Sequence, residues 1–224
     1  MTAALSALEP APEFLSRELG PADLDAVETL HRQAIGPVPD PEIVKPESRA
    51  YFESILAGRG RTIGLFRGDL VAYGILQHDH TPKDGPHRLL GVAPERAVGR
   101  LAGASVRPDL RGRGLQRLLI AERVAIAPPD MLLFSTAAPA NAPSWSNLVA
   151  AGFNITDIQM FFGGYARYLM VRDGSAPEVG ATVVVDPLDF ERQWALFKLG
   201  WRGYGRSRLE RGTVGVLFAR PAGG

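Results

Sequence analysis

An apolar, strand-like run that passes through a glycine loop straight into a helix is the feature that most limits the folds open to this chain. It reads Ala104-Ser-Val-Arg-Pro-Asp-Leu-Arg-Gly-Arg-Gly-Leu-Gln-Arg-Leu-Leu119. Gly112 and Gly114 remove side chains where the backbone turns, which leaves a row of N–H groups pointing outward. With the positive end of the following helix, such a row makes a site for an anion such as a pyrophosphate. Arg111 and Arg113 add positive charge at the same mouth. The plainer alternative is that two glycines merely shape a tight strand-to-helix turn. Other phosphate loops fit worse. No G-x-x-x-x-G-K-S/T occurs, and the third glycine of a dinucleotide-binding loop falls at position 117, which is Arg.

Around this loop the pattern alternates in period. Glu13 to Glu18 is strand-like, and Pro21-Ala-Asp23 opens a helix with Leu24, Val27, His31 and Ala34 at helical spacing. Gly36-Pro37 stops it, and the stretch from Gly36 to Pro46 holds four prolines and must be a loop. Glu47 to Leu56 is a second short helix. Thr62 to Phe66 and Val71 to Gln77 make an antiparallel hairpin across Arg67-Gly68-Asp69. A polar loop runs from His78 to Gly99. Leu101 to Val106, Leu115 to Ile126, Met131 to Ser135 and Ser144 to Ala151 then read strand, helix, strand, helix. That order is a crossover unit, so the centre of the sheet is at least partly parallel. A strand pattern returns from Phe153 to Val171. Thr182 to Val185 is another strand, Asp186-Pro187 opens a helix, and Thr213 to Phe218 is the last strand.

Composition narrows the function classes. A length of 224 residues suits one domain, or one with an appendage. The absence of cysteine excludes a disulfide scaffold, a thiol nucleophile and cysteine-ligated zinc. The 25 basic and 24 acidic side chains nearly cancel, which leaves no global field for nucleic acid or a membrane. No apolar run reaches the ~20 residues that span a bilayer. Met1 to Pro12 lacks the pattern of a signal peptide and reads as a disordered lead, so the expected location is the cytoplasm.

Two motifs in register carry a family resemblance. Val106-x-Pro108-x-x-Arg111-Gly112-x-Gly114-Leu115 resembles the acetyl-CoA pyrophosphate loop of the GNAT superfamily of N-acetyltransferases, with Gln116 in place of its final small residue. Asn141-Ala-Pro-Ser144, followed by Leu148 and Gly152-Phe153, resembles the later family motif in which an Asn starts a helix ending in Gly-Phe. The resemblance covers about residues 13 to 160. It implies an α/β GNAT fold: a mixed, mostly antiparallel sheet with a splayed parallel strand pair, flanked by helices, here with a C-terminal α/β extension. The expected division is a lead at 1–12, a GNAT domain at 13–172 and an extension at 173–224, packed on the domain or at a dimer contact.

The same resemblance implies acetyl-CoA as co-substrate and direct attack of an amine on its thioester. Ser105 and Val106 would line the splay, Val106 through its backbone. The amides of Arg111, Gly112, Arg113, Gly114, Leu115 and Gln116 would hold the diphosphate, and Asn141 and Ser144 would sit beside the pantetheine or thiol. The acceptor, an amine on a small molecule or on a peptide or protein, must lose a proton before it attacks. Leu101 to Val106 contains no acid for this, so His78, Asp79 or Glu95 from the adjoining loop are the candidates. The family's Tyr general acid falls at Leu148; Ser144 or Tyr165 could replace it. A GNAT-fold module that binds acyl-CoA without turnover is the alternative, and a nucleotide-phosphate binder of another fold is a third reading.

The remaining features have plainer readings. His78, His80 and His87 lie in a proline- and glycine-rich loop, and no metal site is expected there. Phe190, Trp194, Phe197 and Trp201 form an aromatic stripe that suits core packing or a dimer contact. From Glu191 onward there are seven basic and two acidic residues, which read as a solvated basic face rather than a nucleic-acid site.

Overall fold

A strand can be apolar along its whole length only where both of its faces are covered, and the run Val71–Leu76 meets that condition at the centre of one large sheet. The computed structural model describes residues 13–80, 85–161, 163–209 and 212–222. The expected lead, 1–12, lies outside the described residues. The first half contains β1 (Leu15–Leu19), α1 (Leu24–Ile35), α2 (Arg49–Ser54), β2 (Gly60–Arg67), β3 (Asp69–Gln77) and α3 (Pro86–Leu90). The crossover follows as β4 (Val98–Val106), α4 (Leu115–Ala125), β5 (Leu132–Ala137) and α5 (Ala142–Ala150). Then come β6 (Asn154–Phe161), β7 (Tyr165–Arg172), β8 (Val183–Val185), α6 (Phe190–Lys198), β9 (Arg202–Arg208) and β10 (Val214–Ala219).

All ten strands join one sheet in the order β1-β2-β3-β4-β5-β7-β6-β9-β10-β8. Among the described residues β4 and β5 are the parallel pair and the other pairings are antiparallel. The helices lie on both faces. Tyr73 and Ile75 of β3 pack with Val27 and Leu30 of α1 and Phe52 of α2. Ala72, next to Tyr73, turns the other way and packs with Leu115 and Leu119 of α4. Among the described residues no helix is long and apolar enough to cross a membrane.

Local chemistry sets several boundaries. Gly36 ends α1 with φ 77°, and Gly68 turns the β2–β3 hairpin with φ 74°, both left-handed values that favour glycine. The last helix starts later than Asp186-Pro187 suggested. Asp186 Oδ1 accepts from the Leu188 N–H and Asp189 Oδ1 from the Arg192 N–H, so Asp189 is the cap and α6 begins at Phe190. Strand β4 starts at Val98, three residues before the expected Leu101, and α3 occupies part of the supposed loop.

Part of the supposed basic surface is a strand. β9 alternates arginine or tyrosine with glycine or serine, and its apolar contacts come from its neighbours. Gly203 lies so close to them that an added Cβ would sit 2.7 Å from Val216 Cγ1 and 3.0 Å from Ile155 Cβ. Only a glycine fits there.

The aromatic stripe lies against the central core. Phe190, Trp194, Phe197 and Trp201 pack, half-buried, on a cluster that includes Trp145, Tyr168, Val216 and Phe218. Trp194 Nε1 donates to the Ile158 carbonyl at 3.2 Å, and the Phe197 and Phe218 rings meet edge to face at 5.4 Å. Replacing both tryptophans, Trp194→Ala with Trp201→Ala, is expected to cost about 3 kcal/mol or more. Scanning calorimetry should then show a midpoint lower by roughly 6–12 °C. An unchanged midpoint would show that the stripe contributes no packing.

Candidate active site

The parallel pairing of β4 with β5 runs from Val98↔Leu132 to Leu101↔Ser135 and stops, although both strands continue. A bulge parts them. Gly74 pairs with Ala104 and Leu76 with Leu101, so Ala102 and Gly103 together stand opposite Ile75. The extra residue bends β4 away from its neighbour. Ser135 Oγ donates to the Leu101 carbonyl at 2.7 Å and ties off the last paired position. Beyond it opens a cleft of about 170 Å³.

The cleft runs through the sheet. Leu101 packs with Ile120 on the α4 face. Arg100 points the other way, because its partner across the ladder, Gln77, turns its side chain to the Tyr51 hydroxyl at α2. One mouth therefore lies between α4 and α5, walled by Gln116, Asn141, Ser144 and Leu148. The other lies beneath the loop between α1 and α2, among Lys45, Glu47, Arg100, Thr136 and Arg167. Arg167 anchors that loop by donating from Nη2 to the Pro41 carbonyl at 2.8 Å.

Next to the first mouth, two residues before Gln116, the glycine loop has the geometry of an anion site. Gly112 and Gly114 have φ 80° and 79°, with nothing within 4 Å of an added Cβ, so backbone conformation rather than space demands glycine. No side chain caps α4, which leaves its first-turn amides and the helix dipole to the solvent. The arginines of the loop are employed elsewhere. Arg111 Nη2 donates to the Ala34 carbonyl at the end of α1, and Arg113 lies 3.8 Å from Glu13. Gln116 Oε1 accepts from Asn147 Nδ2 at 2.9 Å and links α4 to α5. Asn141 Oδ1 caps α5 by accepting from the Ser144 N–H.

Gln116, Asn141 and Ser144 thus meet on one wall. The other residues named from the sequence lie apart from it. Leu115 is buried beneath the glycine loop in the core under α4. Ser105 and Val106 do not line the cleft; the parting strand offers it Ala102, Gly103 and Ala104 instead. Ser105 is buried on the opposite face, its hydroxyl 3.3 Å from Tyr73 Oη. His78 and Asp79 are exposed beyond the end of β3, and both of their amides donate to the Arg59 carbonyl. Neither lines the cleft, and nor do Glu95 and Tyr165. His80 and His87 each bond a backbone carbonyl, of Val98 and Arg96. Among the described residues no cluster of potential metal ligands occurs.

Five charged residues of the cleft wall, Lys45, Glu47, Arg100, Arg123 and Arg167, were missed by the sequence reading, and two of them stand out. Glu47 stands at the second mouth. Its N–H donates to His31 Nε2 at 3.0 Å, which leaves the proton on Nδ1, 3.1 Å from Tyr73 Oη. Burial lowers the His31 pKa and keeps that ring neutral, so the strut under Glu47 persists. Burial also pushes the Glu47 carboxyl above its ordinary value, against the smaller opposing pulls of Lys45 and Arg100.

Arg123 of α4 lies where the strands part and is 2 % exposed. Its Nε donates to the Leu119 carbonyl at 2.9 Å, and Nη1 to the carbonyls of Ile75 and Ala102 at 3.1 and 3.3 Å. These last two flank the bulge. Gly74 makes room, since a Cβ there would lie 2.8 Å from Arg123 Nε. No carboxylate pairs with Arg123 among the described residues, and burial pushes its pKa down to about 9.

No family model matches this sequence, and no curated protein matches it either. Solved structures do. The acetyltransferase of GNAT family from Streptococcus pneumoniae superposes with a TM-score of 0.54 at 18% identity, over 71% of this chain and 98% of that one. Arabidopsis thaliana NAA60 in complex with a bisubstrate analogue gives 0.53 at 18%, over 70% and 96%. The GNAT superfamily phosphinothricin acetyltransferase from Sinorhizobium meliloti, in complex with AcCoA, gives 0.51 at 18%, over 75% and 95%. The chain has the GNAT fold.

Proposed function

We propose that this chain is an N-acetyltransferase that moves an acetyl group from acetyl-CoA to a primary amine by direct attack on the thioester. The observation that carries the proposal is a cleft that pierces the sheet, with a glycine-loop helix terminus near one mouth and the half-buried carboxyl of Glu47 at the other. The diphosphate of acetyl-CoA binds the first-turn amides of α4, and backbone groups freed where β4 leaves β5 hold the pantetheine arm. The acceptor enters under the α1–α2 loop. Glu47 takes a proton from the ammonium, because only the neutral amine has a lone pair to attack with. As the C–N bond forms and the C–S bond breaks, the electron pair leaves on sulfur as thiolate, and the second proton that the nitrogen sheds on becoming an amide passes to that sulfur to give CoA thiol.

Leu148 offers no proton to that thiolate, but Arg123 lines the same cleft with a charge that no carboxylate balances. An enzyme is favoured over an acyl-CoA-binding module by Glu47, for which a sensor of acyl-CoA has no use. The decisive assay is release of free CoA thiol from acetyl-CoA across a panel of primary amines, with the acetylated amine identified by mass. Tight acetyl-CoA binding with no thiol release from any amine would reassign the chain as a binding module.

The cofactor loop has its own test. Gly114→Asp places a carboxylate where the diphosphate lies and adds the strain of a left-handed non-glycine residue. Acetyl-CoA binding is expected to weaken by at least ~2 kcal/mol, roughly 30-fold in Kd, in a calorimetric titration. Gly114→Ala, which carries the strain without the charge, should fall between the two. Unchanged affinity in folded Gly114→Asp would move the diphosphate off this loop.

A further inference from the structure

The second mouth of the cleft is positively charged. Lys45, Arg100 and Arg167 line it with Glu47, and Glu42 of the overlying loop faces Arg167, which leaves one positive charge in excess. Lys45 lies 3.8 Å from Glu47, and Arg167 lies near Glu42 and donates to the backbone of the overlying loop. Arg100 differs from both. It makes no ion pair among the described residues, although Glu47 is close enough to feel its charge. Its Nη2 donates to Thr136 Oγ1 at 3.0 Å, which lays the guanidinium across the gap between β4 and β5. Its Nε is buried with no hydrogen-bond partner, so the edge of the guanidinium that a ligand can meet is that of the two outer nitrogens.

An amine reaches an enzyme mostly as an ammonium ion. A confined mouth with an excess of positive charge repels such an ion, and its low-dielectric walls strengthen the repulsion. The repulsion disappears if the amine brings its own anion. We infer that the acceptor is an amine that carries a carboxylate, of the free amino-acid class, with its ammonium group at Glu47 and its carboxylate at Arg100. This rests on the reading of the cleft as the site of acetyl transfer and adds the acceptor's chemistry to it. The planar guanidinium suits a carboxylate, which it can meet with two parallel hydrogen bonds. Polyamines and lysine-rich peptides, cationic without a compensating anion, are disfavoured by the same field.

Binding separates this inference from the proposed reaction, because it is read with CoA, which cannot transfer an acetyl group. Calorimetry on the full chain with bound CoA would compare L-alanine, L-leucine and L-glutamate with their methyl esters and with ethylamine and isoamylamine, which lack the carboxylate. A peptide with an acidic N-terminal residue, spermidine and a lysine-rich peptide complete the panel. At least one free amino acid is expected to bind tenfold or more tighter than its ester and its decarboxylated amine, a margin of about 1.4 kcal/mol. Arg100→Ala should erase that margin, with the affinity for CoA retained, and Arg100→Lys should restore only part of it. Equal binding of ester and amino acid would overturn the inference. So would a preference for spermidine or the lysine-rich peptide, or no binding by any free amino acid. Tighter binding of the acidic peptide would replace the free amino acid by a peptide terminus and overturn the small-zwitterion assignment. Failure of thiol release with acetyl-CoA counts against the proposed reaction alone.

Discussion

Glu47→Gln is expected to lower kcat by roughly 10²- to 10³-fold while leaving acetyl-CoA binding unchanged. Gln keeps the shape of the side chain and both of its polar atoms but cannot accept the proton of the ammonium. The pH profile should change as well. In the parent, activity rises with pH as Glu47 ionises, at a pH above the ordinary carboxylate range because burial disfavours the charged form. That limb should vanish in the variant. Stability should move the opposite way to activity. A carboxyl whose folded pKa is raised contributes fully below its unfolded pKa, and the contribution is lost as pH rises through the folded value. Once the pH has passed its raised folded value, the ionised Glu47 therefore weighs against the fold, and Gln removes that penalty. The melting midpoint should hold or rise while turnover collapses. A variant with parental kcat and an intact acid limb would remove Glu47 from the proton path.

How far the sequence discloses this site depends on whether a residue's role is local. The glycine loop was legible because left-handed backbone is a property of Gly112 and Gly114 themselves, and the following helix fixes where their amides point. The Asn141 motif was legible for a related reason, since its side chain caps its own helix three residues on. The base proposed here was not legible. His78 and Asp79 were chosen because they follow β3 in sequence, but Gln77 already pairs with Arg100, so the next residues run past the paired end and away from the cleft. Glu47 stands in a segment that looks like solvated loop and helix start. What gives it chemistry is a neutral imidazole sixteen residues earlier that pins its amide, together with burial under a loop anchored by Arg167. Arg123 has the sequence context of an ordinary helix arginine. Only the approach of Ile75, forty-eight residues away, and the missing side chain of Gly74 bury it. The strand β9 was missed likewise, because its neighbours and not its own residues supply its apolar contacts.

Replacing Arg123 tests the step at which the sulfur leaves. Arg123→Met keeps much of the length and volume and removes the charge. Turnover should fall by about 10² or more, as when a preorganised donor to a developing anion is deleted. The effect on folding should be small, because two changes oppose each other. The buried guanidinium carries a desolvation cost in the folded chain, which the variant relieves. The carbonyls of Ile75 and Ala102 lose a donor in return, at about 1–3 kcal/mol for each buried group left unpaired. Packing alone could slow turnover, and a direct readout separates the two roles. The thiol of bound CoA can be titrated by the ultraviolet absorbance of its thiolate. A guanidinium facing the sulfur should hold that thiol about one unit or more below its value in Arg123→Met. If parent and variant titrate alike, Arg123 serves only to hold the bulge, and the thiolate leaves without its help.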